Sequence, residues 1–196
     1  MVMKSLEDIY KGSFFSKRSK FVWRAVHIAD SFEKIFPGIY SYIDVGCATG
    51  DLVFEMYRRG YHAWGIEGSR NCWDHRLTDR IEIVDIRLPM VHPLRYDLCT
   101  CLEVMEHIEE EYANIMVDNL IKLSDKILIS AAPPGQKGHY HVNCQPMVYW
   151  IEKFSLRGYR HVPVLTNAWR NSLIQWRDKP GIKAFFNNCA IFERKK

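Results

Sequence analysis

The run Tyr42-Ile43-Asp44-Val45-Gly46-Cys47-Ala48-Thr49-Gly50-Asp51 sets an apolar strand, an acidic residue and a glycine-spaced turn directly ahead of a helical pattern. Glycine at 46 and 50 with alanine at 48 leaves no bulky side chain over the turn, so a ligand can come close to the backbone. A helix beginning near Asp51 would aim its unbonded N–H groups and positive dipole end at the same point. The stretch predicts a nucleotide-type pocket. A dinucleotide fits poorly. Counting Gly-x-Gly-x-x-Gly from Gly46 puts Ala48 at the second glycine and Asp51 at the third, where a carboxylate would repel a pyrophosphate.

Around this turn, strand-like and helix-like patterns alternate. Apolar residues recur at helical spacing from Phe21 to Phe36 and stop at Pro37-Gly38. Strand-like runs follow near 41–46, 62–67, 81–85, 96–101, 126–132, 159–165 and 187–193, with helical patterns near 51–59, 69–78, 108–123 and 145–157. Such alternation implies βαβ units and a parallel sheet covered by helices on both faces, with ligands beyond the carboxyl ends of the strands.

Composition narrows the class. The 196 residues are 47% hydrophobic and 26% charged, as in a soluble globular protein, and no apolar run reaches membrane-spanning length. The opening Met1 to Asp8 has no signal-peptide core, so a cytoplasmic location without a membrane partner is expected. The 6 cysteines then read as free thiols, and their spacing does not suggest zinc. A net charge of +4 permits a nucleic-acid partner without demanding one.

Three carboxylates fall where a nucleoside pocket would need them. Asp44 lies on the first strand, Glu67 closes the second in Trp64-Gly65-Ile66-Glu67-Gly68, and Asp85 closes the third in Ile83-Val84-Asp85-Ile86. A carboxylate at a strand end can accept both hydroxyls of a ribose, in charge-assisted bonds worth about 1.5–3 kcal/mol each when shielded from water. The Asp-x-Gly-x-Ala-x-Gly turn is similar to the cofactor loop of class I S-adenosylmethionine-dependent methyltransferases, and the resemblance extends over roughly residues 40 to 160.

That resemblance implies an α/β, Rossmann-like, doubly wound seven-stranded sheet, mostly parallel with an antiparallel last strand. It implies one methyltransferase domain over 1–196, with an N-terminal helical segment at 1–38, a cofactor-binding core at 39–160 and a C-terminal hairpin with a Trp-rich insert at 161–196. The cofactor would be S-adenosyl-L-methionine. Gly46, Cys47, Ala48 and Gly50 would form its loop, with Asp44 near its ammonium and sulfonium. Glu67 and Gly68 would take the ribose, Asp85 the adenine amino group, and Ile86 the ring face. Cys101 and Leu102 would offer backbone.

The fourth strand runs into Glu103-Val104-Met105-Glu106-His107, similar to a Glu-Val-x-Glu-His turn of the same family that faces substrate. After the fifth comes Pro133-Pro134-Gly135-Gln136-Lys137-Gly138-His139-Tyr140-His141, a shaped loop in which the two histidines point the same way if that piece is extended. Methyl transfer to a poor nucleophile needs a proton removed, which suits histidine. His107, His139 and His141, supported by Glu106, are the catalytic candidates. The expected reaction is O-methylation of a small molecule or saccharide.

Other readings stay open. Glu103, Glu106, His107 and a downstream histidine resemble the metal-binding set of small-RNA ribose 2'-O-methyltransferases, which would make RNA the partner, although no metal ligand is assigned. Lys17, Arg18, Lys20 and Arg24, interleaved with Phe14, Phe15, Phe21 and Trp23, would serve such a partner or else form a solvated helix end over core aromatics. A non-catalytic cofactor-binding subunit would keep residues 44–85 and dispense with the histidines.

Overall fold

The computed structural model describes residues 3–196. Two short helices, α1 (Leu6–Ile9) and α2 (Gly12–Ser16), and a 3-10 turn over Lys17–Phe21 lead into α3 (Trp23–Ile35). Ala25, Ile28, Ala29 and Phe32 make the buried stripe of α3, and the chain leaves it through Gly38 at φ +81°. Then follow β1 (Ser41–Val45), α4 (Asp51–Arg58), β2 (His62–Glu67), β3 (Ile81–Ile83), β4 (Leu98–Leu102), α5 (Ala113–Leu123) and β5 (Lys126–Ser130). The chain closes with α6 (Met147–Ser155), β6 (Tyr159–His161), α7 (Pro163–Ser172), α8 (Lys183–Asn188) and β7 (Cys189–Arg194).

The seven strands form one sheet in the order β3-β2-β1-β4-β5-β7-β6. The first five run parallel, and β7 pairs antiparallel with both β5 and β6. Alternate residues of each strand serve opposite faces, as the strand period requires. Ile43, Val45, Cys99, Cys101, Ile127 and Ile129 pack with Met116, Val117, Leu120, Trp150 and Phe154 of α5 and α6. Tyr42, Leu98, Leu128 and Ile191 pack on the other face with Ile28, Phe32, Val53, Met56 and Trp169 of α3, α4 and α7. Burial on both faces explains why the central strands read as unbroken apolar runs. All 6 cysteines are free, and among the described residues no helix is long and apolar enough to cross a membrane.

Several element boundaries differ from the sequence expectation. The third strand ends at Ile83, so Asp85 stands in the turn beyond it rather than closing the strand. The pattern at 69–78 is a 3-10 run over Arg70–His75, capped by the Ser69 hydroxyl on the Asn71 N–H. The strand expected at 159–165 stops at His161, because Pro163 takes the first position of α7, where its missing N–H costs nothing. The Trp-rich insert is therefore helical, with Trp169 fully buried against the sheet, and the hairpin it interrupts begins at Tyr159 rather than 161.

Candidate functional site

Strands β1, β2 and β4 are neighbours, so the chain segments leaving their carboxyl ends converge on one edge of the sheet. A cavity of ≈ 260 Å³ lies there. Gly46, Ala48, Glu67, Gly68, Asp85, Ile86 and Leu102 line it, together with Glu103, Glu106, His107, His139 and His141. Leu6, Tyr10, Phe14 and Arg18, from the N-terminal segment, cover it.

The loop after β1 is held by the Gly46 and Cys47 N–H groups, which donate to the Ile66 carbonyl at 2.7 and 3.0 Å. Gly46 at φ +75° has no room for a side chain: a Cβ would lie 2.3 Å from Val104 Cγ2. Ala48 also has positive φ, at +51°. Gly50 caps α4 at φ +72°, and a Cβ there would meet Ile81 and Thr78 at 2.9 Å. Packing against Val104, Ile81 and Thr78 thus demands glycine at both positions independently of any ligand. Gly50 and Cys101 are not among the residues that line the cavity, and the Cys101 side chain packs into the α5–α6 core.

Glu67 is the best-anchored carboxylate. It accepts the Ala48 N–H on Oε2 at 2.9 Å and the Gly68 and Ser69 N–H groups on Oε1 at 2.8 and 3.1 Å. Burial raises its pKa while these backbone donors pull it back. Oε1 is thus fully used by its two N–H donors, and Oε2 keeps one lone pair for a further donor. Asp85 accepts the Arg87 guanidinium, with Nη2 at 2.7 Å from Oδ2, and that guanidinium also donates to the Lys4 carbonyl at 3.0 Å. Ile86 is buried beside it on the wall.

Asp44 and Cys47 lie one step further in, around a small annex that shares Arg18, Gly46 and Leu102 with the main cavity. The Thr100 hydroxyl donates to Asp44 Oδ1 at 2.6 Å. Burial pushes the Asp44 carboxyl up to about 7, against the pull of Thr100, Arg24 and Arg18. Arg24 pairs with Asp51 at 3.4 Å, both buried. Arg18 has a buried Nε without a partner among the described residues. Burial and the Arg24 charge lower its pKa, while Asp51, Glu67 and Asp44 oppose that shift. Of the cations in the expected patch, Arg24 is buried on Asp51 and Arg18 is half-buried at the cavity, so Lys17 and Lys20 are the exposed ones.

Met105–His107 form a 3-10 turn after β4. Glu106 is fully buried, and neither carboxylate oxygen has a hydrogen-bond partner among the described residues. Burial first, and the adjacent Glu103 charge second, push its pKa up to about 8. Burial and His141 push His107 down to about 4, so its ring is neutral at physiological pH. The His107 and His141 ring centres are 5.0 Å apart, and His141 Nε2 is 3.9 Å from Glu106 Oε1. His141 Nδ1 lies 2.9 Å from the Gln136 carbonyl; a carbonyl only accepts, so Nδ1 carries the proton and Nε2 keeps its lone pair.

His139 is tied to the N-terminal segment. Its Nε2 donates to the Ile9 carbonyl at 2.8 Å, and its ring packs against Tyr10 and Phe14. Residues 139–140 form a turn with Tyr140 at φ +52°, so the expected extended His139/His141 pair does not exist, although both line the cavity. Sequence reasoning also missed Tyr10, Phe14 and Leu6 as cavity residues, and Arg87 as the Asp85 partner. Nothing local marks the first three, since their approach is set by tertiary packing; Arg87, two residues past Asp85, was readable as a short-range ion pair.

A family model described as "Methyltransferase domain" matches residues 15–124, just over half of the chain. The ubiquinone biosynthesis O-methyltransferase of Pseudoalteromonas translucida (strain TAC 125) is 24% identical over 153 residues, covering 72% of this chain. The chain spans 62% of that relative's length. A solved structure of an amino pentose methyltransferase from Micromonospora echinaspora, with S-adenosylmethionine bound, superposes with a TM-score of 0.66 at 14% identity, covering 100% of this chain and 98% of that one. A sugar N-methyltransferase from a Streptoalloteichus species gives 0.61 at 14% identity, covering 100% and 95%. These two likenesses establish a shared fold.

Proposed function

Given that this chain belongs to the methyltransferase-domain family of class I S-adenosylmethionine-dependent enzymes, we propose that it methylates an oxygen of a small molecule or saccharide with histidine assistance. The residues fit the donor. Glu67 presents a pre-anchored carboxylate with free acceptor capacity, and the buried Asp44 offers negative charge suited to a cationic ligand and unsuited to a phosphate. When bound, S-adenosylmethionine supplies a methyl group whose departure returns an electron pair to sulfur.

The chain's own residues then do the rest. Glu67 would hold the ribose, Gly46, Ala48 and Gly68 would let it approach the backbone, and Ile86 would pack on the base. Asp85, already neutralised by Arg87, would accept the adenine amino group. Leu6, Tyr10, Phe14 and Arg18, which also line the cavity, would help to shield a compact substrate from water. The observation that carries the reading is the His141 tautomer: Nδ1–H is fixed on the Gln136 carbonyl, leaving Nε2 free to handle a hydroxyl proton beside Glu106 and His107. His139 would close the roof through its bond to the Ile9 carbonyl.

The direct test is a panel of hydroxylated small molecules and sugars assayed for methyl transfer by the wild type and His141→Ala. Transfer that depends on His141 supports the reading. Binding of S-adenosylhomocysteine without transfer to any hydroxyl would favour a cofactor-binding subunit instead.

A further inference from the structure

The small annex beside the main cavity is walled in part by Asp44, and what holds that carboxylate lies inside the sheet. β1 and β4 run parallel in a register that pairs Asp44 with Thr100 and Tyr42 with Leu98. Residues two apart share a sheet face, so Tyr42 and Asp44 point the same way and the Thr100 side chain falls between them. Its hydroxyl is 2.6 Å from the Tyr42 hydroxyl and 2.6 Å from Asp44 Oδ1. All three residues are buried, Tyr42 and Thr100 completely, and Tyr42 belongs to the apolar cluster of Phe32, Leu98 and Leu128.

A hydroxyl carries one proton, so the row has a direction. With Asp44 ionised, Thr100 donates to the carboxylate, Tyr42 donates to Thr100, and each proton has an acceptor. A proton on Oδ1 reverses the row. Thr100 must then turn to Tyr42, and the phenol proton is left in apolar surroundings, because Thr100 is the one hydrogen-bond partner of that hydroxyl among the described residues. A proton on Oδ2 keeps the row but weakens it, since a bond to a carboxylate is about twice as strong as one to a neutral oxygen. The two hydroxyls thus work against burial, which favours the neutral acid. Arg18 and Arg24 also favour the anion, and Asp51 opposes it.

We propose that Thr100 and Tyr42 are positioning residues that hold Asp44 as an oriented anion and so set how strongly this chain prefers the cationic methyl donor over its spent product. This role rests on the donor reading of the cavity. The annex shares Arg18, Gly46 and Leu102 with the main cavity, which puts Asp44 beside the donor's proposed berth. Transfer removes one positive charge: S-adenosylmethionine carries a sulfonium, and S-adenosylhomocysteine a neutral thioether. The two ligands share their adenine, ribose and amino-acid groups, so contacts to those groups cannot tell them apart. A fixed negative charge can. Thr100 and Tyr42 are not among the residues lining the cavity or the annex, so both act through Asp44.

The test measures the affinities of S-adenosylmethionine and S-adenosylhomocysteine for the full chain by calorimetry near pH 8 and reads their ratio. General damage to the pocket weakens both ligands, whereas loss of the oriented charge weakens the cation alone. The wild type should favour S-adenosylmethionine. Thr100→Val keeps the branched shape without the hydroxyl and should cut the ratio about tenfold, and Tyr42→Phe should cut it about threefold. Thr100→Ser restores the hydroxyl and should stay within about twofold of wild type. Should Thr100→Val fold poorly because the Tyr42 proton loses its acceptor, the double variant Tyr42→Phe/Thr100→Val leaves no hydroxyl without a partner and should show the same tenfold fall. In an Asp44→Asn background, Thr100→Val should change nothing, since the carboxylate it acts through is gone. Wild-type ratios in the Thr100 and Tyr42 variants overturn the inference, as does a fall that persists in Asp44→Asn. Wild-type protein that binds both ligands equally sinks the inference and leaves the donor pocket standing. Wild-type protein that binds neither removes the donor pocket and this role with it.

Discussion

The Glu67 carboxylate accepts the Ala48 N–H at 2.9 Å, so the strand end proposed to take the ribose also fixes the loop proposed to face the rest of the donor. One side chain couples two halves of a pocket. Glu67→Ala should therefore cost more than its ligand contacts alone, because it also releases three backbone donors. At about 1.5–3 kcal/mol per charge-assisted bond, S-adenosylhomocysteine affinity should fall by about 10- to 150-fold for each ligand bond lost. Calorimetric titration checks this, and unchanged affinity would remove Glu67 from the pocket.

Gly46→Ala should be severe for two separable reasons. The new Cβ would meet Val104 Cγ2 at 2.3 Å, and φ +75° is costly for any residue with a side chain, by about 1–3 kcal/mol. Thermal unfolding should show a drop of several degrees. The double variant with Val104→Ala should recover part of it, the unrecovered part being backbone strain. Full recovery would mean that the clash alone matters.

Asp44 gives a pH dependence whose sign follows from its burial. Its carboxyl is shifted up from 3.8 to about 7 in the folded chain, so the folded state holds a proton that the unfolded state has lost between those values. The stability it contributes is complete below about pH 4 and declines as pH rises through 7. Asp44→Asn should remove that decline, visible as a flatter Tm between pH 5 and 8. Conversely, S-adenosylmethionine should bind more tightly at pH 8 than at pH 6, because its positive charge favours the ionised carboxylate. An equally steep profile in Asp44→Asn would assign the effect elsewhere.

His141→Ala should reduce turnover at least a hundredfold while leaving S-adenosylhomocysteine affinity within about twofold, since general acid–base assistance is worth about 10²–10⁴ in rate. His139→Ala should act differently. Losing its bond to the Ile9 carbonyl loosens the roof, so the donor should dissociate faster with a smaller effect on single-turnover chemistry. Stopped-flow dissociation and single-turnover assays separate the two, and identical behaviour of both variants would refute the division of labour.

The parts of this protein readable from its sequence are those governed by local rules. The turn at Gly46 to Gly50 announced itself because positive φ and crowding leave few residue choices, and Glu67 could be placed because strand β2 is a short, buried run with a clear end. Asp85 was found, but its strand was drawn too long, since Val84 and Ile86 continue the apolar pattern past the last sheet bond at Ile83. The helices at 163–172 and 183–188 were hidden by aromatic residues whose burial depends on α3 and β7, contacts distant in the chain. Arg18 and Arg24 misled for the same reason. A run of cations looks like a solvated face until the carboxylates Asp44 and Asp51, brought by another element, are seen beneath it.

The covering of the cavity by Leu6, Tyr10, Phe14 and Arg18 has a kinetic corollary. Leu6 lies so close to the Gly68 strand end that a Cβ on Gly68 would be 2.6 Å from it. If the donor lies there as proposed, its exchange would be paced by the parting of residues 6–18 from that strand end, far in sequence from the proposed catalytic residues.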